Sequence, residues 1–178
     1  MMSGHAIPKA PLREDGHQPR GFSLIELLVM IMVMGILAAV AIPNYAAQVK
    51  EQRLIEYAGQ VDYLVRYARI AAMEKTTNVN ICVATNQIVL RDIGATRPAT
   101  AAGACGSGSQ ILSVSLADTG LTASGTSVAL DPRGLAIEPV SGGGVCLSDG
   151  RKYRMVIVGV TGARTQEGNG GCPAIPNM

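Results

Sequence analysis

Residues 21–42 read GFSLIELLVMIMVMGILAAVAI. The run from Phe22 to Ile42 is apolar except for Ser23 and Glu26, and no charged residue lies between Leu27 and Ile42. As an α-helix with a rise of about 1.5 Å per residue, this run spans about 31 Å, close to the thickness of the bilayer core. The segment therefore predicts a membrane-spanning helix over residues 22–43. Basic residues precede it, which places the amino end in the cytoplasm and the rest outside.

The helical pattern continues beyond the apolar run. Between residues 44 and 75 Gly59 is the one residue that weakens a helix, and Asp62 and Arg66 form an i,i+4 charge pair. Apolar residues recur at helical spacing, and we expect them to pack on a sheet while Lys50, Glu51, Arg53 and Glu56 face water. This apolar stripe comprises Val49, Leu54, Ile55, Ala58, Val61, Leu64, Val65, Ala68, Ala71 and Ala72. The sequence predicts one long helix from about residue 23 to 75, with its first half in lipid.

The remainder of the chain, residues 78–178, has the texture of a β-rich head. Short runs rich in Val, Ile and Leu are separated by Gly, Asn, Asp and Pro, which is the pattern of strands joined by turns. We expect a long loop over 94–109, a turn at 141–144 and an irregular tail over 166–178. The predicted fold class is α+β, in which the amphipathic half of the helix (44–75) packs on an antiparallel head.

The four cysteines, Cys82, Cys105, Cys146 and Cys172, contain no C-x-x-C pair and fit no zinc motif. An even number of cysteines beyond a membrane segment indicates two disulfides in an oxidising compartment. Three connectivities are possible. We favour Cys82–Cys105 with Cys146–Cys172, because each pair closes the shorter available loop, and buried free thiols are the alternative.

Composition argues against an enzyme. Both histidines, His5 and His17, precede the apolar run, so removal of that region leaves no histidine for a catalytic triad or a histidine-based metal site. We expect no catalytic constellation, no metal and no cofactor. The net charge of +2 implies no broad nucleic-acid-binding surface.

Glu26 is the unusual residue of the apolar run. A carboxylate in a membrane segment is a functional hypothesis whose partner must be named. Cleavage between Gly21 and Phe22 would create an α-amino group one helical turn away, and this amine is cationic near neutral pH. Pairing within one chain is possible, whereas pairing between neighbouring chains would set the axial register of an assembly. An ordinary cleaved signal peptide has a shorter apolar region, and a plain anchor does not explain the RGFxxxE arrangement.

The stretch RGFSLIELLVMIMVMGILAAVAIPNY, residues 20–45, resembles the class III signal of type IV pilins and type II secretion pseudopilins. The resemblance implies the pilin fold. It also implies that a prepilin peptidase removes the leader 1–21 by cutting after Gly21, and that it N-methylates Phe22.

The same resemblance implies how such a chain works. Its partners would be other pilin or pseudopilin subunits and an inner-membrane assembly platform, with Glu26 acting in assembly. The helix would unwind in the filament between Gly35 and Pro43, two residues that weaken a helix. The chain would sit in the bacterial inner membrane as a single-pass protein with a periplasmic head, and then enter a filament.

The head resembles the GspH/FimT branch, which contains the H-type pseudopilin and the FimT/FimU minor pilins. The resemblance rests on ALDPRGLAIEP (129–139), with its turn at 131–134, and on RKYRMVIVGVTGART (151–165). It implies a minor subunit at the filament tip or one that initiates the filament. Some members of this branch bind DNA, so the alternative is a DNA-binding minor pilin that uses the basic residues Arg151, Lys152, Arg154 and Arg164. Strand alternation separates Lys152 and Arg154 from Arg151, and charged edge strands more commonly prevent aggregation.

Overall fold

A computed structural model describes residues 21–138 and 143–175, apart from the side chains of Pro43 and Asn44. The predicted leader therefore lies outside the described residues, except for Gly21. The chain divides into two compact units, residues 1–42 and 43–178. The long helix predicted from the sequence is confirmed, and it runs as α1 from Leu24 to Lys75.

The described part of the first unit is the beginning of α1 and the residues just before it. Every side chain from Gly21 to Ile42 is exposed in the single chain. Apolar residues on all sides of a helix are stable only when lipid or other helices cover them. Among the described residues, α1 is the one helix that is long and apolar enough to cross a membrane.

The second unit contains two antiparallel sheets. The five-stranded sheet has the order β3-β2-β1-β5-β6 and the four-stranded sheet has the order β4-β7-β8-β9. The strands are β1 Asn78–Ala84, β2 Gln87–Gly94, β3 Ser109–Ser115, β4 Thr122–Thr126, β5 Val128–Leu130, β6 Ala136–Glu138, β7 Gly143–Ser148, β8 Lys152–Val158 and β9 Ala163–Asn169. The predicted α+β class is thus confirmed, with the carboxyl-terminal part of α1 packed on both sheets.

One main core joins α1 to the inner faces of the two sheets. The helix contributes seven residues to it: Leu54, Ala58, Val61, Leu64, Val65, Ala68 and Ala72. Three of the seven are alanines, whose small side chains let the helix approach the sheets closely, and the strands supply Val, Ile and Leu to fill the space between. The prediction for Ile55 is wrong, because its side chain is 45% exposed on the outer face of the helix.

A second, smaller core lies on the outer face of the four-stranded sheet. Cys146, Met155 and Ile157 are fully buried there beneath Cys172 and Ile175. Strand alternation explains the arrangement, since Val156 and Val158 face the main core while Met155 and Ile157 face outward. The carboxyl-terminal segment is therefore a cover for an apolar face.

Three local predictions need correction. The segment predicted as a tail from residue 166 begins inside β9, because Ala163–Asn169 pairs with β8 along its whole length. The predicted turn at 141–144 lies partly outside the described residues, and its Gly143 and Gly144 already belong to β7. The loop over 94–109 contains a short 3₁₀ helix, Gly103–Gly106, and the sequence analysis also missed β4.

Candidate functional site

The amino-terminal part of α1 presents Glu26 in its first turn. The helix begins where the amides of Glu26 and Leu27 donate to the carbonyl of Ser23, at 3.0 and 3.2 Å. A carboxylate at this position is favoured by the positive end of the helix dipole. Phe22 lies just before the helix and is 75% exposed. The arrangement leaves both residues accessible to other chains.

Gly35 lies in the middle of the exposed helical segment. A Cβ atom added there would meet nothing within 4 Å, so the glycine is not required by packing inside the single chain. The helix is continuous through Gly35 and Pro43. Unwinding between these two residues concerns an assembled filament and stays a prediction.

The structure divides the four basic residues proposed as a DNA-binding cluster. Lys152 forms an ion pair with Glu51 of α1, and Arg154 pairs with Glu167 across the β8–β9 ladder at 2.6 Å. Arg164 is opposite Ile157 in the ladder, so it lies on the other face of the sheet from Lys152 and Arg154. Two of the four charges are thus neutralised by carboxylates, and the four do not form one surface. Glu51, predicted to face water, is only partly exposed because it serves this pair.

Two aspartates organise turns. Asp131 Oδ1 accepts the amides of Arg133 and Leu135, each at 2.9 Å, and its other oxygen accepts from the Arg133 guanidinium. Partial burial alone would raise the pKa of Asp131, but these hydrogen bonds outweigh burial and hold the pKa below its ordinary value. Asp149 accepts the amides of Arg151 and Lys152 in the same way, and its pKa is also lowered. Both carboxylates therefore have structural partners.

Arg69 is a residue whose role the sequence analysis missed. It points from α1 into the region where two loops meet, and its guanidinium donates to four backbone carbonyls. Nη1 donates to Gly134 at 2.6 Å and to Val160 at 3.1 Å. Nη2 donates to Gly159 at 2.8 Å and to Gly162 at 2.9 Å. Burial lowers the pKa of Arg69, but the group stays protonated because its ordinary pKa lies so far above neutrality.

Arg69 therefore ties the Asp131 turn and the β8–β9 loop to the helix, and we call this set of four hydrogen bonds the arginine clamp. The available signal in the sequence was a single cation among the core positions Ala68, Ala71 and Ala72. An arginine surrounded by small side chains has room to extend past them toward the backbone of a neighbouring element.

The cysteines pair as Cys82–Cys105 and Cys146–Cys172, with Cα–Cα distances of 5.6 and 5.9 Å. The first bridge holds the 94–109 loop against β1, and the second holds the carboxyl-terminal segment on the outer core. In the part of the chain that the structure describes, no three His, Cys, Asp or Glu side chains come together as metal ligands.

Comparison with known proteins gives matches of different extent. Residues 17–42 match the family model of the prokaryotic N-terminal methylation motif. Over 45 residues the chain is 44% identical to the type IV major fimbrial protein FimA of Dichelobacter nodosus. That alignment covers 24% of this chain and 29% of the relative's length.

Two crystal structures of the type IV minor pilin FimU of Pseudomonas aeruginosa are similar to the chain at low sequence identity. One gives a TM-score of 0.46 at 15% identity and covers 65% of this chain and 88% of FimU. The other gives 0.44 at 17% identity and covers 65% and 92%. The apolar helix with its exposed Glu26, the motif match and the FimA similarity all point to a pilin-like amino-terminal segment. By its amino-terminal segment this chain is type IV pilin-like, and residues 17–42 carry the prokaryotic N-terminal methylation motif.

Proposed function

We propose that this chain is a structural subunit, a minor pilin or pseudopilin, that assembles through its amino-terminal helix into a filament. The single observation that carries the proposal is the methylation motif on an apolar helix whose first turn presents Glu26. The head supports it, since Asp131 and Asp149 hold turns and the guanidinium of Arg69 binds backbone carbonyls.

The maturation steps follow from the chemistry of the segment. A prepilin peptidase cuts between Gly21 and Phe22, and the amine of Phe22 is methylated. The new cationic amine of one subunit then pairs with Glu26 of its neighbour in a medium where an unpaired charge costs several kcal/mol. This pairing fixes the stagger of adjacent helices, because any other stagger leaves both charges unpaired.

The topology proposed is a single pass with the head in the periplasm. The basic residues before the apolar run favour a cytoplasmic amino end. An oxidising compartment for the head agrees with its two disulfides. We place the subunit at or near the filament tip, or among the subunits that initiate it, and name an inner-membrane platform as its assembly partner.

The pairing is tested by replacing Glu26 in the full-length chain. Glu26→Ala should leave the protein cleaved and membrane-bound, while its recovery in sheared filaments falls sharply. Glu74→Ala is the matched control, because Glu74 is an exposed carboxylate near the other end of the same helix. Normal recovery of Glu26→Ala would contradict the pairing.

The cleavage site is tested separately by mass spectrometry of the mature chain. Gly21→Val should slow processing, because the residue before the cut changes while the apolar helix is untouched. Complete cleavage of this variant at the usual rate would place the cut elsewhere.

Counting surface pili in a deletion strain and in its complemented counterpart then distinguishes a type IV pilus subunit from a type II secretion pseudopilin. A sharp drop indicates a type IV pilus initiator, and an unchanged count indicates a secretion pseudopilin or a specialised tip subunit.

A further inference from the structure

The edge strands of the two sheets are β3, β6, β4 and β9, and they differ in how they are protected. At β6, Arg97 from the neighbouring loop donates to the carbonyl of Ile137 and lies 3.9 Å from Glu138. The amide of Ala123 in β4 donates to the carbonyl of Thr85. β9 carries Arg164 and Glu167. Charges and covering loops are the usual means by which proteins keep edges from pairing with other chains.

β3 has none of these devices among its described residues. Its sequence, SQILSVS, contains no charge and no proline. The amide of Leu116 donates to the carbonyl of Asn86, and the first, regular part of the ladder runs from Ser115 opposite Gln87 to Leu112 opposite Leu90. Because hydrogen-bonded and non-hydrogen-bonded pairs alternate in an antiparallel ladder, the backbone groups of Ser113 and Ser115 point away from β2. β3 is thus an open template for one further strand.

A groove of about 420 Å³ lies beside this open edge. Its floor and walls come from α1 (Glu56, Gly59, Gln60 and Tyr63) and from Leu112, Ser113 and Val114 of β3. The space above Gly59 is open, since a Cβ added there would meet nothing within 4 Å. Tyr63 is 60% exposed and stacks on Tyr67 with ring centroids 5.9 Å apart. The groove therefore offers an aromatic surface and space for an apolar side chain.

We propose that β3 and this groove bind an extended strand from a different subunit of the same filament. The incoming strand pairs with the free backbone groups of Ser113 and Ser115. One of its apolar side chains enters the groove over Gly59, and a flanking Lys or Arg faces Glu56. A positive charge is expected on the incoming strand because Glu56, on the groove rim, has no cationic partner among the described residues. Its carboxylate accepts a hydrogen bond from Gln60 Nε2 at 3.5 Å. Strand addition combines backbone hydrogen bonds for affinity with a side-chain pocket for specificity.

The charge on the groove rim argues against a second copy of this chain that pairs through its own β3. That strand, SQILSVS, carries no Lys or Arg, so it cannot supply the cation that faces Glu56. This inference rests on the proposed function, which supplies the neighbouring subunits.

The test uses the full-length chain in its native cells. Ser113 is replaced by the photocrosslinking residue p-benzoylphenylalanine, and Thr165 on the charged edge β9 is replaced in a matched strain. After irradiation, adducts are purified and the crosslinked peptide is sequenced by mass spectrometry. We expect one adduct specific to position 113, joined to an extended segment of another filament subunit that contains alternating apolar residues and a flanking basic residue.

A second substitution connects the adduct to the groove. Gly59→Leu fills the groove and also replaces a poor helix former by a good one, so loss of fold is not the expected effect. It should reduce the adduct by about tenfold or more, equivalent to about 1.4 kcal/mol of binding. Gln52→Leu, on an exposed part of the same helix two turns away, should leave the yield unchanged.

Four results would overturn the inference. They are an adduct with β3 of a second copy, a lipid adduct, a yield no higher than at position 165, and an adduct whose yield does not change with Gly59→Leu. The mass of the chain on the same gel separates the two proposals. A processed chain without the adduct refutes the strand-docking site alone, whereas an unprocessed chain refutes the proposed function.

Discussion

Replacing Arg69 should destabilise the head far more than replacing any exposed cation of the same helix. The substitution is Arg69→Met, which keeps an apolar stem of similar length and removes the guanidinium. Four carbonyls then lose the guanidinium as a donor, namely those of Gly134, Gly159, Val160 and Gly162. The carbonyls of Val160 and Gly162 keep the backbone amides of Ala136 and Gly159 as donors. The Asp131 turn and the β8–β9 loop thereby lose their common attachment to α1.

The magnitude follows from the environment of the four bonds. Hydrogen bonds that involve a charged group contribute about 1.5–3 kcal/mol each. The bonds to Gly134 and Gly159 are partly buried, whereas those to Val160 and Gly162 are exposed and contribute less because water replaces them. We therefore expect the free energy of unfolding to fall by about 3 kcal/mol. With a urea slope of about 1.5–2 kcal/mol per molar, the unfolding midpoint falls by about 1.5–2 M.

The assay is urea unfolding of the full-length protein in detergent, followed by a signal from the head. Arg66→Met is the control, because Arg66 lies one turn away and forms an exposed pair with Asp62 at 2.8 Å. Such i,i+4 pairs contribute about 0.3–0.5 kcal/mol. Arg69→Lys should fall between the two, since an ammonium cannot reach four carbonyls in fixed directions. An Arg69→Met midpoint as high as that of Arg66→Met would refute the clamp.

The remaining predictions concern the turns, the bridges and the basic residues. The pKa of Asp131 is lowered in the folded head, so its contribution to stability is complete above about pH 5 and is lost as the pH falls through about 4 toward the folded pKa. Asp131→Asn should therefore flatten the decline of the urea midpoint as the pH falls below about 5. Replacing either cysteine pair by alanine should cost about 3.5 kcal/mol, given sequence separations of 23 and 26 residues. Loss of Cys146–Cys172 should also increase binding of a hydrophobic dye, because Met155 and Ile157 lose their cover. Because Lys152 and Arg154 are already paired with carboxylates, changing both to alanine should alter DNA retention at physiological salt by less than changing Arg151 and Arg164.

Periodicity made the helix predictable. The apolar run from Phe22 and the helical spacing that follows it extend over many turns, so local pattern and tertiary packing agree on one element. Ile55 shows the limit of the same rule. It lies beside Leu54 in the sequence, but the rotation of about 100° per residue carries it off the buried face, and hydrophobicity alone does not report that rotation.

The missed strands had a different cause. β4, TASGT, and β9, ARTQEGN, are edge strands whose side chains are mostly exposed, so they show little hydrophobic alternation. Their pairing with β7 and β8 comes from backbone hydrogen bonds, which leave almost no trace in residue type. Gly144 shows the same effect, because Val156 of β8 lies too close for any side chain there, and the sequence displays only a glycine-rich run.

The amino-terminal motif could be recognised from the sequence because its chemistry is local. Gly21, Phe22 and Glu26 lie within one or two helical turns, and their relation needs no distant contact. The arginine clamp, the separation of the basic residues and the open edge of β3 depend on residues that are distant in the chain. Arg69 meets Gly134 and Gly162 only when two loops fold over the helix, and Lys152 meets Glu51 across more than half of the head. Local chemistry is set by neighbouring residues along the chain, whereas surfaces and clamps form only when the tertiary structure brings distant residues together.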